Sequence, residues 1–146
     1  MPPRYRQLDL DVQLCFPLYA ATRAVTRRYG DLLADAQLTY PQYLSLLTLW
    51  EADEPLAVGV LAERLRLDSG TLTPLLKRLE SAGLVVRRRD AADERRVLVE
   101  LTDEGWSLRD RVAHVPKELF ASIDLSDREA QQLRRLLGKI LSNLDG

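Results

Sequence analysis

Residues 61–105 read LAERLRLDSGTLTPLLKRLESAGLVVRRRDAADERRVLVELTDEG. Two apolar helical patterns come first. Leu61, Ala62 and Leu65 mark the inward side of a short helix from Val60, and Leu72, Leu75, Leu76 and Leu79 that of a second from Ser69 to Ala82. A tight turn at Arg66-Leu67-Asp68 separates them, and Gly83 closes the second as its C-cap. Leu84–Arg88 and Val97–Leu101 then alternate or are β-branched, as strands are, and Arg89–Arg96 joins them in a charged loop. Helix, turn, helix and a two-stranded wing is an arrangement that sets one helix in a DNA groove and a basic hairpin beside it.

The flanks read as helices. From about Asp9 to Ala34, residues Leu14, Leu18, Ala21, Val25, Leu32 and Leu33 lie near one face, and Pro17 interrupts the run. Either the regular helix starts near Cys15-Phe16 with Pro17 in its first turn, or it starts earlier and kinks there. Thr39-Tyr40-Pro41-Gln42 has the form of a capping box, and the helix it opens is apolar nearly all round and predicted to be buried. Leu56-Ala57-Val58 is a candidate short strand. Thr102 caps a helix running to about His114, which Pro116 breaks or bends, and Ser126-Asp127-Arg128-Glu129 boxes the last one. That helix carries Leu133, Leu136, Leu137, Ile140, Leu141 and Leu144 in one wide stripe. A single small domain has little left for such a stripe to cover, which predicts a homodimer.

Composition fits one globular domain of 146 residues, 46% hydrophobic and 29% charged. No apolar run approaches a membrane span, and the N-terminus lacks an apolar secretory segment. A single cysteine rules out an internal disulfide and points to a reducing cytoplasm. The net charge of −1 speaks against a nucleic-acid partner, but its distribution speaks for one. Between Arg64 and Arg96 stand nine basic and five acidic residues, so a locally basic face sits on an acidic body.

Within that face, the helix from Ser69 is the candidate recognition helix. Ser69, Gly70, Thr71 and Thr73 are small or hydroxylated, which lets its N-terminus approach phosphates and base edges. Lys77 and Arg78 lie two turns further on, within reach of the DNA backbone. Asp68 and Ser69 also serve as caps. Pro74 removes one backbone hydrogen bond and has no evident local reason. In the wing, Arg87, Arg88 and Arg89 face Arg95 and Arg96 across Asp90, Asp93 and Glu94. Asp93 is predicted to pair with one arginine and shape the turn while another projects into a narrow minor groove. Arg95 and Arg96 remain equal candidates for the tip.

The run Asp93-x-Arg95…Leu101-Thr102-x-x-Gly105, behind a helix-turn-helix, resembles the MarR-type winged-helix repressors over essentially the whole chain. More narrowly, Leu14-Cys15-Phe16, Tyr19, Tyr29, Thr39-Tyr40-Pro41-Gln42-Tyr43 and the stretch from Leu67 through Asp68-Ser69-Gly70-Thr71-Leu72-Thr73-Pro74 to Arg78 resemble the organic-hydroperoxide-sensing, OhrR-like branch. The resemblance implies a mainly α fold with a small antiparallel β-wing. Residues of about 9–50 and 103–146 would form dimerisation helices, and about 55–102 the DNA-binding lobe. It implies DNA contacts from Asp68, Ser69, Gly70, Thr71, Thr73, Lys77, Arg78, Arg88, Arg89, Asp93, Arg95 and Arg96. It also implies that Cys15 is oxidised by organic hydroperoxide while tyrosines of the partner subunit, here Tyr29 and Tyr40 with Tyr19 nearby, hold it poised.

Geometry is consistent with a crossing between subunits. Cys15 and Tyr29, if joined by continuous helix, share a face but stand about 21 Å apart along the axis. Hydroxyl donors and a helix N-terminus stabilise a thiolate, and apolar Phe16 and Leu18 favour an alkyl or lipid peroxide. A lone cysteine on residues alone is most often an inert buried thiol. Some members of the family carry a second, resolving cysteine that this chain lacks. Its sulfenic acid must therefore meet a small thiol, form a sulfenamide or over-oxidise. The expected protein is a repressor on double-stranded DNA with a pseudo-palindromic operator, a homodimer, without cofactor or metal and without enzymatic activity: His114 has no nucleophile partner at recognisable spacing. The alternative is a repressor of the same fold released by a reversible aromatic or phenolic ligand, with Cys15 structural.

Overall fold

Pro17 sets where the first long helix begins. In the computed structural model, which describes residues 1–145, helix α1 spans Cys15–Leu33 with Pro17 as its third residue. There an N–H has no intrahelical partner to lose, so the proline costs nothing and the helix runs on unkinked in sequence. The residues ahead of it do not extend the helix. They form two single 3₁₀ turns, Arg6–Leu8 and Leu10–Val12, tied together by the Gln13 side-chain amide, which donates to the carbonyls of Gln7 at 2.8 Å and Asp9 at 3.1 Å.

The chain divides into two compact units, Met1–Ala113 and His114–Gly146. In the first, α1 ends in a 3₁₀ turn at Ala34–Ala36 and Gln37 takes a left-handed conformation, turning the chain towards α2, Tyr40–Ala52. The capping box forms as the sequence predicts: Thr39 Oγ1 accepts the Gln42 N–H, and Gln42 Oε1 accepts the Thr39 N–H at 3.0 Å. A short strand β1, Leu56–Ala57, leads directly into α3, Val58–Leu65, two residues earlier than the pattern suggests. Arg66 in the left-handed region makes the tight turn to α4, Ser69–Ser81, and Gly83, with φ of 77°, leaves it. Strands β2, Val85–Arg89, and β3, Val97–Leu101, complete an antiparallel sheet of order β1-β3-β2, and α5, Asp103–Val112, follows.

Leu33 from α1, Tyr43, Leu46 and Leu49 from α2, Leu61 from α3, Leu72, Leu76 and Leu79 from α4, and Val85 and Val99 from the sheet are essentially inaccessible. Each contributes about 1.5–3 kcal/mol of burial, so α2 is the hub that α1, α3 and α4 share. The Leu-Thr-x-x-Gly motif fastens sheet to helix. The Thr102 hydroxyl donates to the Gly83 carbonyl at 2.6 Å and accepts the Gly105 N–H at 3.0 Å. A side chain at Gly105 would press into the Leu84 carbonyl oxygen, and the Gly105 carbonyl in turn accepts the buried Trp50 indole N–H at 2.9 Å.

The second unit holds α6, Val115–Ile123, with Pro116 in its first turn, and α7, Asp127–Asp145, opened by the Ser126–Glu129 capping box. Pro116 therefore starts a new helix rather than bending α5. None of α7 is buried among the described residues, and Leu133, Leu136, Ile140, Leu141 and Leu144 stand exposed along it.

Candidate nucleic-acid interface and thiol site

Helix α4 buries Leu72, Leu75, Leu76 and Leu79, and at about 100° per residue the opposite stripe is Gly70, Pro74, Lys77 and Ser81. Pro74 thus sits on the outermost line of the helix, where the missing hydrogen bond faces solvent and not the core. Ser69, Thr73 and Glu80 share the flank towards the wing, and Thr71 and Arg78 the opposite flank. Asp68 caps the helix by accepting the Thr71 N–H at 2.7 Å, and that bond holds its carboxyl below the ordinary carboxylate value. The Thr73 hydroxyl donates to the Ser69 carbonyl at 2.7 Å, which leaves its methyl and lone pairs for an outside partner.

An open groove of about 580 Å³ lies between this flank and the wing, lined by Ser69, Thr73, Leu76, Arg87, Arg95 and Arg96 among others. The predicted residues do not all gather there. Strand register pairs Arg88 with Leu98 and puts it on the face of Val86 and Glu100, away from buried Val85 and Val99, where its Nε donates to Glu100 at 3.2 Å. Arg78 lines a separate cleft of about 280 Å³ beside Gln42, Glu104 and Arg111. Arg87, absent from the expected contacts, lines the groove instead, held by Glu80.

The acids of the wing are braces. Asp93 Oδ1 accepts both the backbone N–H and the Nε of Arg95, each at 3.2 Å, Asp90 pairs with Arg96 at 3.6 Å, and Arg89 donates to the Glu94 carbonyl at 2.9 Å. Asp93 therefore orients the very arginine that projects: the Arg95 side chain is 92% exposed against 52% for Arg96. The expected division of labour between two arginines falls to one.

Cys15 is the first residue of α1 and is exposed, not a buried thiol, with Leu14, Phe16, Leu18 and Tyr19 exposed around it. The Arg23 guanidinium stands 5.7 Å from the Tyr19 ring centroid. At the other end of α1, Tyr29 stacks on Tyr40 with ring centroids 4.0 Å apart and planes within 10°. Tyr43, absent from the expected sensing residues, joins at 5.8 Å. Burial first, then the neighbouring Tyr40, pushes the Tyr29 and Tyr43 phenols above their ordinary value of 10.0, so both are protonated donors at neutral pH. With α1 continuous, Cys15 lies about 21 Å from Tyr29 along the axis, and the two do not meet within one chain.

A recognition helix, a braced basic wing and flanking helices define a winged-helix transcriptional regulator. The profile described as Transcriptional regulator SarA/Rot matches residues 27–112, and the chain belongs to this family of MarR-type, DNA-binding regulators. It is 43% identical to the organic hydroperoxide resistance transcriptional regulator of Bacillus subtilis over 99% of this chain and 97% of that one. Among solved structures it is similar to AbfR of Staphylococcus epidermidis. Reduced AbfR bound to DNA is 36% identical, with a TM-score of 0.79 over 96% of this chain and 97% of that one. Overoxidised AbfR bound to DNA is 38% identical, with a TM-score of 0.77 over 94% and 96%. CouR of Rhodococcus jostii bound to p-coumaroyl-CoA is 27% identical, with a TM-score of 0.79 over 91% and 94%.

Proposed function

We propose that this regulator is a dimeric repressor that binds a pseudo-palindromic operator when reduced and leaves it when organic hydroperoxide oxidises Cys15. One observation carries the redox half: the sole cysteine is exposed at the start of α1, and Tyr29 of its own chain is about 21 Å away along the helix axis. In an antiparallel two-fold dimer the Tyr29–Tyr40 pair of one subunit reaches Cys15 of the other, with protonated hydroxyls ready to stabilise a thiolate. The exposed apolar side chains near Cys15 and along α7 are surfaces for that partner. Residues of about 9–50 and 103–146 form the dimerisation helices and about 55–102 the DNA-reading lobe, in a reducing cytoplasm.

The chemistry balances without a cofactor. The thiolate attacks a peroxide oxygen, the O–O bond breaks, the alcohol leaves with one oxygen and a proton, and sulfur keeps the other as sulfenic acid. With no second cysteine, a small thiol condenses on the sulfenic acid, releasing water and leaving a mixed disulfide. Overoxidised AbfR is bound to DNA, which favours the bulkier mixed disulfide as the releasing state here. The adduct perturbs packing between subunits and respaces two recognition helices that read the duplex about 34–36 Å apart. A preference of a few kcal/mol between lobe arrangements is enough to switch occupancy.

The likeness to CouR favours a second reading, in which a reversible aromatic ligand releases DNA and Cys15 is structural. Intact-mass spectrometry of the protein after cumene hydroperoxide, with and without a small thiol, separates the two. The redox reading expects one added oxygen and then one thiol adduct on Cys15; an unmodified mass at full peroxide exposure excludes it.

A further inference from the structure

Helix α4 meets the wing at one polar link. Glu80, on the same flank of α4 as Ser69 and Thr73, accepts the backbone N–H of Arg87 at 2.8 Å with Oε2 and the Arg87 Nη2–H at 3.1 Å with Oε1. Among the described residues no other hydrogen bond or ion pair joins α4 to β2 or β3. Arg87 sits where β2 faces fully buried Val99, and from there the hairpin runs outward to Arg95. As β2 is an edge strand, its outward N–H would otherwise lack a protein partner. The link is made at a cost: the Arg87 Nε is buried without a partner. A fold indifferent to the attitude of its wing has no need to draw an arginine in on those terms.

We propose that Glu80 is a positioning residue for DNA reading: through Arg87 it fixes the angle between the recognition helix and the wing, and so the spacing at which Thr73 and Arg95 meet the duplex, without touching DNA itself. This rests on the DNA-reading function proposed above. The half-buried pairing makes the link directional, since one carboxylate accepts from both the strand backbone and the guanidinium of the same residue.

The test uses the full-length reduced protein and a duplex that the wild type selects from a random pool, beside a scrambled duplex. Affinities are measured over a range of salt for the wild type, Glu80→Gln, Arg87→Met and the double variant, below their melting temperatures. Glu80→Gln keeps an acceptor for the strand N–H and removes the ion pair. It is expected to weaken the selected duplex about tenfold, to leave the scrambled duplex within about twofold, and to keep the salt slope, as no phosphate contact is lost. The double variant is expected to bind the selected duplex no worse than the weaker single variant. Equal losses on both duplexes, a Glu80→Gln affinity within about twofold of wild type on the selected one, or losses that multiply in the double variant each overturn the proposal. A wild type that selects no sequence overturns the DNA-reading function instead.

Discussion

Tyr29 and Tyr40 stack face to face, 4.0 Å between ring centroids, at the junction of α1 and α2. The stack fixes two phenols on a rigid platform, because Tyr40 opens a helix whose capping box is complete and Tyr29 lies in the last third of a continuous α1. In the proposed function, that platform positions hydroxyls for a group brought in from outside its own chain.

Mixed dimers test where that group comes from. One chain carries Cys15→Ser with its tyrosines intact, the other Tyr29→Phe and Tyr40→Phe with its cysteine intact. Oxidation across subunits predicts that the remaining Cys15 reacts with cumene hydroperoxide at close to the wild-type rate. The homodimer lacking both phenols is expected to be slower by about tenfold or more, the loss of a hydrogen bond to a charged group. Equal rates for mixed dimer and tyrosine-less homodimer contradict the crossing.

The wing makes a prediction about salt. Arg95 is the projecting side chain, held in place by Asp93, so Arg95→Ala is expected to weaken binding to all duplexes and to lower the salt slope by about one. Asp93→Ala, which frees the arginine but leaves its charge, is expected to weaken binding with the slope kept. An unchanged slope for Arg95→Ala removes the wing tip from the interface.

Gly105→Ala tests the packing of the Leu-Thr-x-x-Gly motif. The added methyl meets the Leu84 carbonyl, a backbone atom that cannot step aside alone, and disturbs the acceptor of the Trp50 indole. Urea unfolding should show a loss of about 1–3 kcal/mol. A variant as stable as wild type shows that the α5 start slides freely on the sheet.

Acid tests the recognition-helix cap. The Asp68 carboxyl is held below its ordinary 3.8, chiefly by the Thr71 N–H. A depressed carboxyl stabilises the fold above its unfolded value, and that contribution fades as pH falls through the lower, folded value. The melting temperature of Asp68→Ala should therefore lie below that of wild type at neutral pH, and the gap should close as pH falls well below 3.8. A gap independent of pH assigns the effect to something other than the ionised cap.

Local signals carried much of this fold in the sequence itself. Asp68, Thr39, Thr102 and Ser126 announce four helix starts because a cap acts within three residues, whereas Pro17 is compatible with a first turn or a kink and only the structure places it in the first turn of α1. The wing was less legible because its pairings depend on register. Pairing Arg87 with buried Val99 puts Arg87 on the side of the groove and Arg88 on the other face, and the sequence alone does not give that register. Glu80 reads as an exposed helix charge until the strand beside it is known. Likewise, only the braces of Asp90 and Asp93 tell Arg95 from Arg96. Cys15 and Tyr29 could be related in advance, since a helix fixes both their shared face and their separation.

The central claim is that oxidation of Cys15 releases the operator. The direct measurement is the DNA occupancy of wild type and Cys15→Ser on a selected duplex, before and after cumene hydroperoxide in the presence of a small thiol. Wild type is predicted to dissociate and to rebind after reduction, while Cys15→Ser binds equally well in both conditions. Release of Cys15→Ser by the same treatment contradicts the account.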